Sequence, residues 1–359
     1  MRPKWFLYFI FFSCLFLTGI VQLANAQQSS DSTLSPKKQK LLISEYIKSN
    51  DTLIQLETRW STRQMEYRLY YPDDFKLFLS PNQTNNISLG FAYRYVDISF
   101  GFSPKFFNKN QPEDLRGLST RAGLSTGFSL KRFYFSLEYS TVKGFYLKNS
   151  KEYARGLPDT PFLLFPNLQV LQAGGMVSYN FNPRFSTSAL KSGSQVQLKS
   201  AWTFLPTFQF ARFRFRDKSP VTGIENESTF STDLNLLLPL MGTLVFAKKG
   251  YVTASLGPSI GIDFFKTLSY TGSQQIKISN GTSLSTGYLF QSAIGFNAKK
   301  FYGGLESTIR SYGHRIEDVD RLRKFFYSVQ VYIGFNLRAP RWAKKSLDWA
   351  NKNSPVKLE

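Results

Sequence analysis

Strict alternation of apolar and polar residues, sustained over runs longer than ten residues, is the feature that most limits what this chain can become. Ile87, Leu89, Phe91, Tyr93 and Tyr95 occupy one phase, and Ser88, Gly90, Ala92 and Arg94 the other. The phase then slips by one residue, so that Val96, Ile98, Phe100 and Phe102 alternate with Asp97, Ser99 and Gly101. Period two is the signature of a strand with one face in each of two environments, and a one-residue slip marks a tight turn, where the next strand restarts its apolar face. The pattern recurs in residues 118–130 and 133–139, 252–264, 284–296 and 301–309, and 325–337. Strands of soluble proteins average about 5–6 residues. A tilted strand needs about 9–11 residues to cross a bilayer. Length and pattern together predict strands with aromatic and aliphatic side chains toward lipid and Gly, Ser, Thr and Gln toward an interior.

The connections carry a second signal. Tight ones fall near Tyr95/Val96, Lys131/Arg132, Asn182/Pro183, Lys248/Lys249 and Lys299/Lys300. Long ones fall at residues 105–116, 147–166, 217–227, 269–282 and 315–320, and the two kinds alternate along the chain. Outer-membrane barrels have short turns on the periplasmic side and longer loops outside. Residues 65–79, with an irregularity at 72–74, supply a first strand, and residues 184–216 are read as one interrupted strand. The expectation is all-β: an antiparallel up-and-down transmembrane β-barrel of about 12 strands, behind a cleaved signal peptide, with both ends in the periplasm.

The N-terminus fits export. Arg2 and Lys4 precede an apolar run over residues 5–23, and Ala24, Asn25 and Ala26 provide small residues for cleavage before Gln27. An uncleaved anchor is the alternative. The resulting division is a signal peptide (1–26), a partly helical or flexible periplasmic leader (27–62), the barrel (63–338) and a C-terminal periplasmic tail (339–359), with an amphipathic helix expected at 341–352. Beyond Leu23 no apolar run reaches the length of a helical span. Cys14, the only cysteine, lies in the signal, which excludes thiol catalysis and cysteine metal sites in the mature chain. The formal charge of +21 over the whole chain would suit nucleic acid, but export points instead to outer-membrane lipids and their anionic headgroups. A transporter of about 22 strands with a plug needs a longer chain than 359 residues.

The hairpin at residues 86–104, the step Leu198-Lys199-Ser200-Ala201 before a long aromatic strand, and residues 250–261 resemble a family of uncharacterised barrel-like proteins from Bacteroidota, catalogued as a domain of unknown function. The resemblance covers residues 50–338. It implies a barrel in the cell outer membrane, and the family brings no activity and no functional residues with it.

Residues that carry chemistry are few. His314 is the single histidine, with Ser307 and Ser311 nearby, so an outer-membrane lipid hydrolase would depend on it. Glu317, Asp318 and Asp320 cluster in the last loop, but Arg315, Arg321 and Arg323 flank them, so a self-paired loop is expected and no metal or other cofactor. Glycine pairs at 174–175 and 303–304 lie within strands and read as relief of crowding. Arg94, Asp97, Arg121, Glu138, Asp263, Glu306 and Arg310 fall on the polar phase of their strands and are expected to line the lumen. On the lipid side a basic residue would cost about 2–4 kcal/mol at mid-bilayer. The leading expectation is a non-enzymatic barrel, either a narrow channel for small polar solutes or a structural or surface element. A lipid-modifying hydrolase and a soluble exported barrel holding apolar ligands are the alternatives.

Overall fold

The computed structural model describes residues 36–71, 74–82, 84–104, 113–152, 162–191, 193–217, 226–271, 274–316 and 319–354. The expected signal segment, 1–26, lies outside them, as do Glu317 and Asp318. The chain runs α1 (Pro36–Tyr46), β1 (Ile47–Ser49), β2 (Leu53–Tyr70), β3 (Lys76–Ser80), β4 (Thr84–Tyr93), β5 (Val96–Phe102), α2 (Glu113–Arg116), β6 (Thr120–Leu130), β7 (Phe133–Leu147) and β8 (Leu163–Tyr179). It continues through α3 (Thr187–Lys191), β9 (Gln195–Gln197), β10 (Ala201–Phe204), β11 (Thr207–Arg216), β12 (Asn226–Leu237), β13 (Leu240–Phe246), β14 (Gly250–Thr271), β15 (Gln274–Asn297), β16 (Phe301–Ile316), β17 (Val319–Arg338) and α4 (Arg341–Asn353).

Antiparallel pairing closes these strands into a ring in the order β2, β4, β5, β6, β7, β8, β11, β12, β14, β15, β16, β17 and back to β2. β10 continues β11 and β13 continues β12 in unchanged register, interrupted where Pro206 and Pro239 face the ladder without an N–H to donate. The wall therefore has twelve strands, as the alternation predicts. Its outer face carries the apolar phase, with Leu89, Leu137, Phe208, Ile260, Leu284 and Ile333 exposed. Among the described residues no helix is long and apolar enough to cross a membrane.

Both termini of the ring, Leu53 and Arg338, pair with each other at the end that carries the short turns. We call this the turn end and the opposite one the loop end. Arg94, Lys131, Ala247 and Lys248 hold positive φ in three of these turns. Phe246 and Gly250 pair across a three-residue connection, in which the left-handed Ala247 and Lys248 form a tight turn that brings the Lys249 N–H to the Phe246 carbonyl at 3.3 Å.

The structure corrects several boundaries. The first wall strand begins at Leu53, not at residue 63, because Gln55, Glu57, Arg59 and Ser61 continue the inward phase set by Arg63. Residues 76–79 belong across the turn, paired back onto Tyr67–Tyr70 in β2. The connection near Asn182 is an excursion, not a tight turn: it forms α3 and β9, and β9 pairs with β1 outside the ring. Phe185 is therefore no strand residue. It is buried with Ala201, Leu205 and Met241 in a small core that Tyr46 and Leu190 complete, and that core gives the excursion its shape. Lys199 reaches Glu45 at 2.7 Å on the surface of this unit, and its hydrogen bond and charge lower the Glu45 carboxyl pKa. At the loop end, residues 269–282 are not a coil: β14 and β15 stay paired out to Thr271 and Gln274. On β15 this stretch holds only Ile276 and Ile278 in alternation, too short an apolar phase to mark a strand in the membrane.

The barrel narrows toward the loop end. β3 pairs with β2 on one side and, through Leu79 and Ser80, with β7 on the other. Three strands, β4 to β6, are thus replaced at the rim by one, leaving ten. A bulge between Lys143 and Phe145 turns β7 inward to make this junction.

α4 forms where the tail was expected to be helical. Ala343 and Leu347 pack on Ile54 and Tyr93 at the turn end, while Trp342 (70% exposed) and Trp349 (69%) stand free on the helix surface. Arg94 binds Asp348 at 2.7 Å and donates to the Asp51 carbonyl at 3.3 Å. Arg94 is therefore a latch on α4 and not a lumen residue, because its turn position takes its side chain off the strand's inward face. Arg94→Ala should leave the ring intact, with a stability cost of at most about 1 kcal/mol for a pair whose partner is half exposed. Trypsin should release α4 faster at Lys344 and Lys345; an unchanged cleavage rate would show that the latch does not hold the helix.

Candidate functional site: an interior chamber closed at both ends

The inward phase of each strand builds the site, and β2 reads its layers in order from the turn end. Gln55, Glu57, Arg59, Ser61 and Arg63 are polar; Met65, Tyr67 and Leu69 are not. Two adjoining cavities follow the polar part, about 300 Å³ and about 180 Å³, and share Arg63, Ser88, Ser99, Ser125 and Glu138 in their linings. They form one chamber along the barrel axis.

The charges are segregated along it. Near the turn end Arg59 contacts Glu306 at 2.8 Å and also pairs with Glu57, while Gln330 hydrogen-bonds Glu306. Arg59 also lies 4.9 Å from the Tyr332 ring, whose hydroxyl meets that of Tyr251. Asp97 lines the same level and accepts a 3.5 Å hydrogen bond from Tyr134. This layer has an excess of carboxylates. One level on, Arg63, Arg121 and Arg310 approach the chamber around a single carboxylate, Glu138, which is held by Gln172 at 2.6 Å. Among the described residues no carboxylate lies within ion-pair distance of these three arginines, and the buried Nε atoms of Arg63 and Arg310 lack acceptors. Like charges gathered between low-dielectric walls attract an anion more strongly than they would on a free surface.

Buried groups cross the lumen toward each end. At the loop end Met65, Tyr67, Val142, Phe145, Val170, Ala211, Phe213 and Leu322 form a buried apolar layer across the lumen. Tyr67 spans it, its ring 4.8 Å from Phe215. Beside this layer lies a polar strut. Lys324 on β17 reaches Asp233 on β12 at 2.8 and 3.0 Å and Ser231 at 3.1 Å, passing 4.1 Å over the Phe213 ring. Ser231 donates to Asp263, and His314 Nε2 lies 2.8 Å from that carboxylate. All of these groups are buried, Asp263 completely. At the turn end α3 closes the mouth: Leu190 lines the larger cavity, Ser188 bonds Ser129 at 2.9 Å, and Gly193 packs on the Tyr302 ring.

Of the expected lumen residues, Asp97, Arg121, Glu138, Glu306 and Arg310 line the chamber, Asp263 sits in the strut, and Arg94 is elsewhere. Ser307 and Ser311 stand an odd number of residues from His314 on an uninterrupted stretch of β16, so they occupy the opposite face. Residues 55–63 carry the same alternation, the local signal that places Glu57 and Arg59 on the inward face. Lys324 and Asp233 also lie on the polar phase, but nothing local shows that they meet, since their strands are not neighbours in the ring.

A closed antiparallel ring with an apolar exterior and a polar, charged interior defines a β-barrel of the outer-membrane type. The chain belongs to the family described as a domain of unknown function, DUF4421, which it matches over residues 43–337. No curated protein matches it. Among solved structures it is similar to the outer-membrane protease OmpT from Escherichia coli (7% identity, TM-score 0.38, covering 81% of this chain and 98% of that one). It is also similar to the β domain of the Bordetella autotransporter BrkA (11%, TM-score 0.35, 78% and 98%) and to LpxR from Salmonella typhimurium (11%, TM-score 0.32, 77% and 99%). The likenesses extend to the fold alone, and the barrel itself is defined by the chain's own strand pairing.

Proposed function

We propose that the protein is a gated, narrow conduit of the outer membrane for a small polar solute bearing an anionic group. The observation that carries this reading is the cluster of Arg63, Arg121 and Arg310 around Glu138, facing a chamber and lacking ion-pair partners among the described residues. The turn end faces the periplasm and the loop end the exterior, the usual sense for such barrels. The apolar layer at Tyr67 and Phe213 is the resting outer gate, and α3 is the inner one. A hydrolytic role draws no support from the geometry, because Ser307 and Ser311 are turned away from His314.

The test is electrical. The full chain is reconstituted in planar bilayers under a potassium chloride gradient, and openings should be brief, with a reversal potential favouring chloride. Replacing Arg63, Arg121 and Arg310 together by Gln should abolish or reverse that preference. Tyr67→Ala with Phe213→Ala should lengthen the openings. Cation preference in the parent protein, or no current even in the gate variant, would sink the proposal.

A further inference from the structure

The outward face of the barrel holds a feature that the chamber does not explain. On β17 the lipid-facing phase runs through Leu337, Phe335, Ile333 and Val331, all exposed, and on through Phe325 to Arg323 and Arg321. Register carries the same face across the neighbouring strands. Arg323 lies opposite Arg68 on β2 and opposite Gly313 on β16, and Arg321 lies opposite Tyr70. Three guanidinium groups are thus gathered on the outer wall near the loop end, two of them directly opposed across a strand pair. Like charges in that position repel.

Their surroundings are those of a binding site. Gly313 has no side chain, and the space a Cβ would take there is 3.7 Å from Arg321 Nε and 3.8 Å from Arg323 Nε. This leaves a notch flanked by both. Arg68 is held in place by Glu66 and by the rings of Phe78 (5.6 Å) and Phe325 (5.5 Å). Glu66 is committed to Arg68 and to Lys148, 2.7 Å away. Among the described residues no carboxylate pairs with Arg321 or Arg323, and the buried Nε of Arg323 has no acceptor.

Depth decides the ligand. The stretch from Leu337 to Phe325 rises about 30 Å along the membrane normal, taking about 3.3 Å per residue and a tilt of about 40°. The apolar band of such barrels is about 25 Å tall. Phe325 and Tyr70 therefore mark the interfacial girdle, and Arg68, Arg321 and Arg323 stand at the height of the outer headgroups. A guanidinium fork matches phosphate oxygens in two-point geometry. We infer that Arg321, Arg323 and Arg68 form a binding site for the phosphate of an outer-leaflet glycolipid, with Gly313 making room for it and its acyl chains lying along the apolar wall below.

The test uses the full chain in detergent micelles, with bisphosphorylated lipid A as the probe and bound lipid read by native mass spectrometry. Dephosphorylated lipid A and inorganic phosphate are run alongside. Arg321→Gln with Arg323→Gln should weaken lipid A binding about thirtyfold, two basic groups' worth at a membrane surface. Arg321→Lys with Arg323→Lys, which keeps both charges, should retain most of it and controls for folding. Dephosphorylated lipid A should bind the parent no better than phosphorylated lipid A binds the Gln variant. Equal binding by parent and Gln variant, or indifference to the phosphates, overturns the site. Full competition by millimolar inorganic phosphate overturns its assignment to lipid.

Discussion

Lys324→Met should destabilise the barrel by about 3–5 kcal/mol, the range found when one partner of a buried ion pair is removed. Asp233 and Asp263 face each other in register on β12 and β14, both buried, with Ser231 bonded to each at 2.7 and 2.6 Å. Lys324 is the lysine that reaches Asp233, and methionine would keep its length while leaving that carboxylate without its cation. The measurement is equilibrium urea unfolding in lipid vesicles, followed by tryptophan fluorescence, with the heat-dependent shift in electrophoretic mobility as a second probe. Asp233→Asn should cost less, and the double variant should lose less than the two single losses added. Contacting groups couple by about 0.5–3 kcal/mol. A loss under about 0.5 kcal/mol for Lys324→Met, or strict additivity, would mean that the strut bears no load across the lumen.

The second large effect is expected at Gly144. Its φ is +88°, and a Cβ added there would lie 2.1 Å from the Leu118 carbonyl oxygen and 3.2 Å from Ser119 Cα. Both obstacles are backbone, so a rotamer change cannot relieve them. Gly144→Ala should cost at least about 3 kcal/mol, combining an unfavourable backbone region with displacement of the neighbouring strand. The consequence is specific. Gly144 makes the bulge that lets Val142 and Phe145 both join the apolar layer, and beyond it Tyr146 and Leu147 pair with Ser80 and Leu79 on β3. Losing the bulge turns Phe145 outward and frees β3. Lower stability should therefore come with longer openings in the bilayer assay. Gly90→Ala is the matched control, since its nearest neighbour would be Glu57 Cβ at 3.5 Å; it should change stability by less than about 0.5 kcal/mol. Equal effects at the two glycines would refute the argument.

The chamber residues show what side-chain alternation can place. Asp97, Arg121, Glu138, Glu306 and Arg310 could be placed inside because side-chain direction alternates strictly along a strand. The rule does not extend to Arg94, where a left-handed turn breaks the alternation, and it holds for Glu57 and Arg59, which lie before the expected start of the barrel. It also missed the paired ribbon beyond Ser269. There the apolar phase of β15 shrinks to Ile276 and Ile278, too short a run to mark a strand in the membrane. The excursion at 180–200 escaped notice because its shape depends on Tyr46, far away in sequence, packing against Phe185.

By itself, the sequence determined a membrane-type wall of twelve strands, the face on which nearly every wall residue lies, and the positions of most short turns. These properties are local: they follow from period two and from the slip that each hairpin imposes. The tertiary structure alone decided what meets across the lumen. Lys324 finds Asp233, Tyr67 finds Phe215, and Arg63 joins Arg121 and Arg310 only when β17 closes on β2 with a particular stagger. That stagger is a collective property of the whole ring, and no single strand encodes it. The alternation thus places charges inside a membrane barrel, and ring closure gathers them into a chamber with a basic belt.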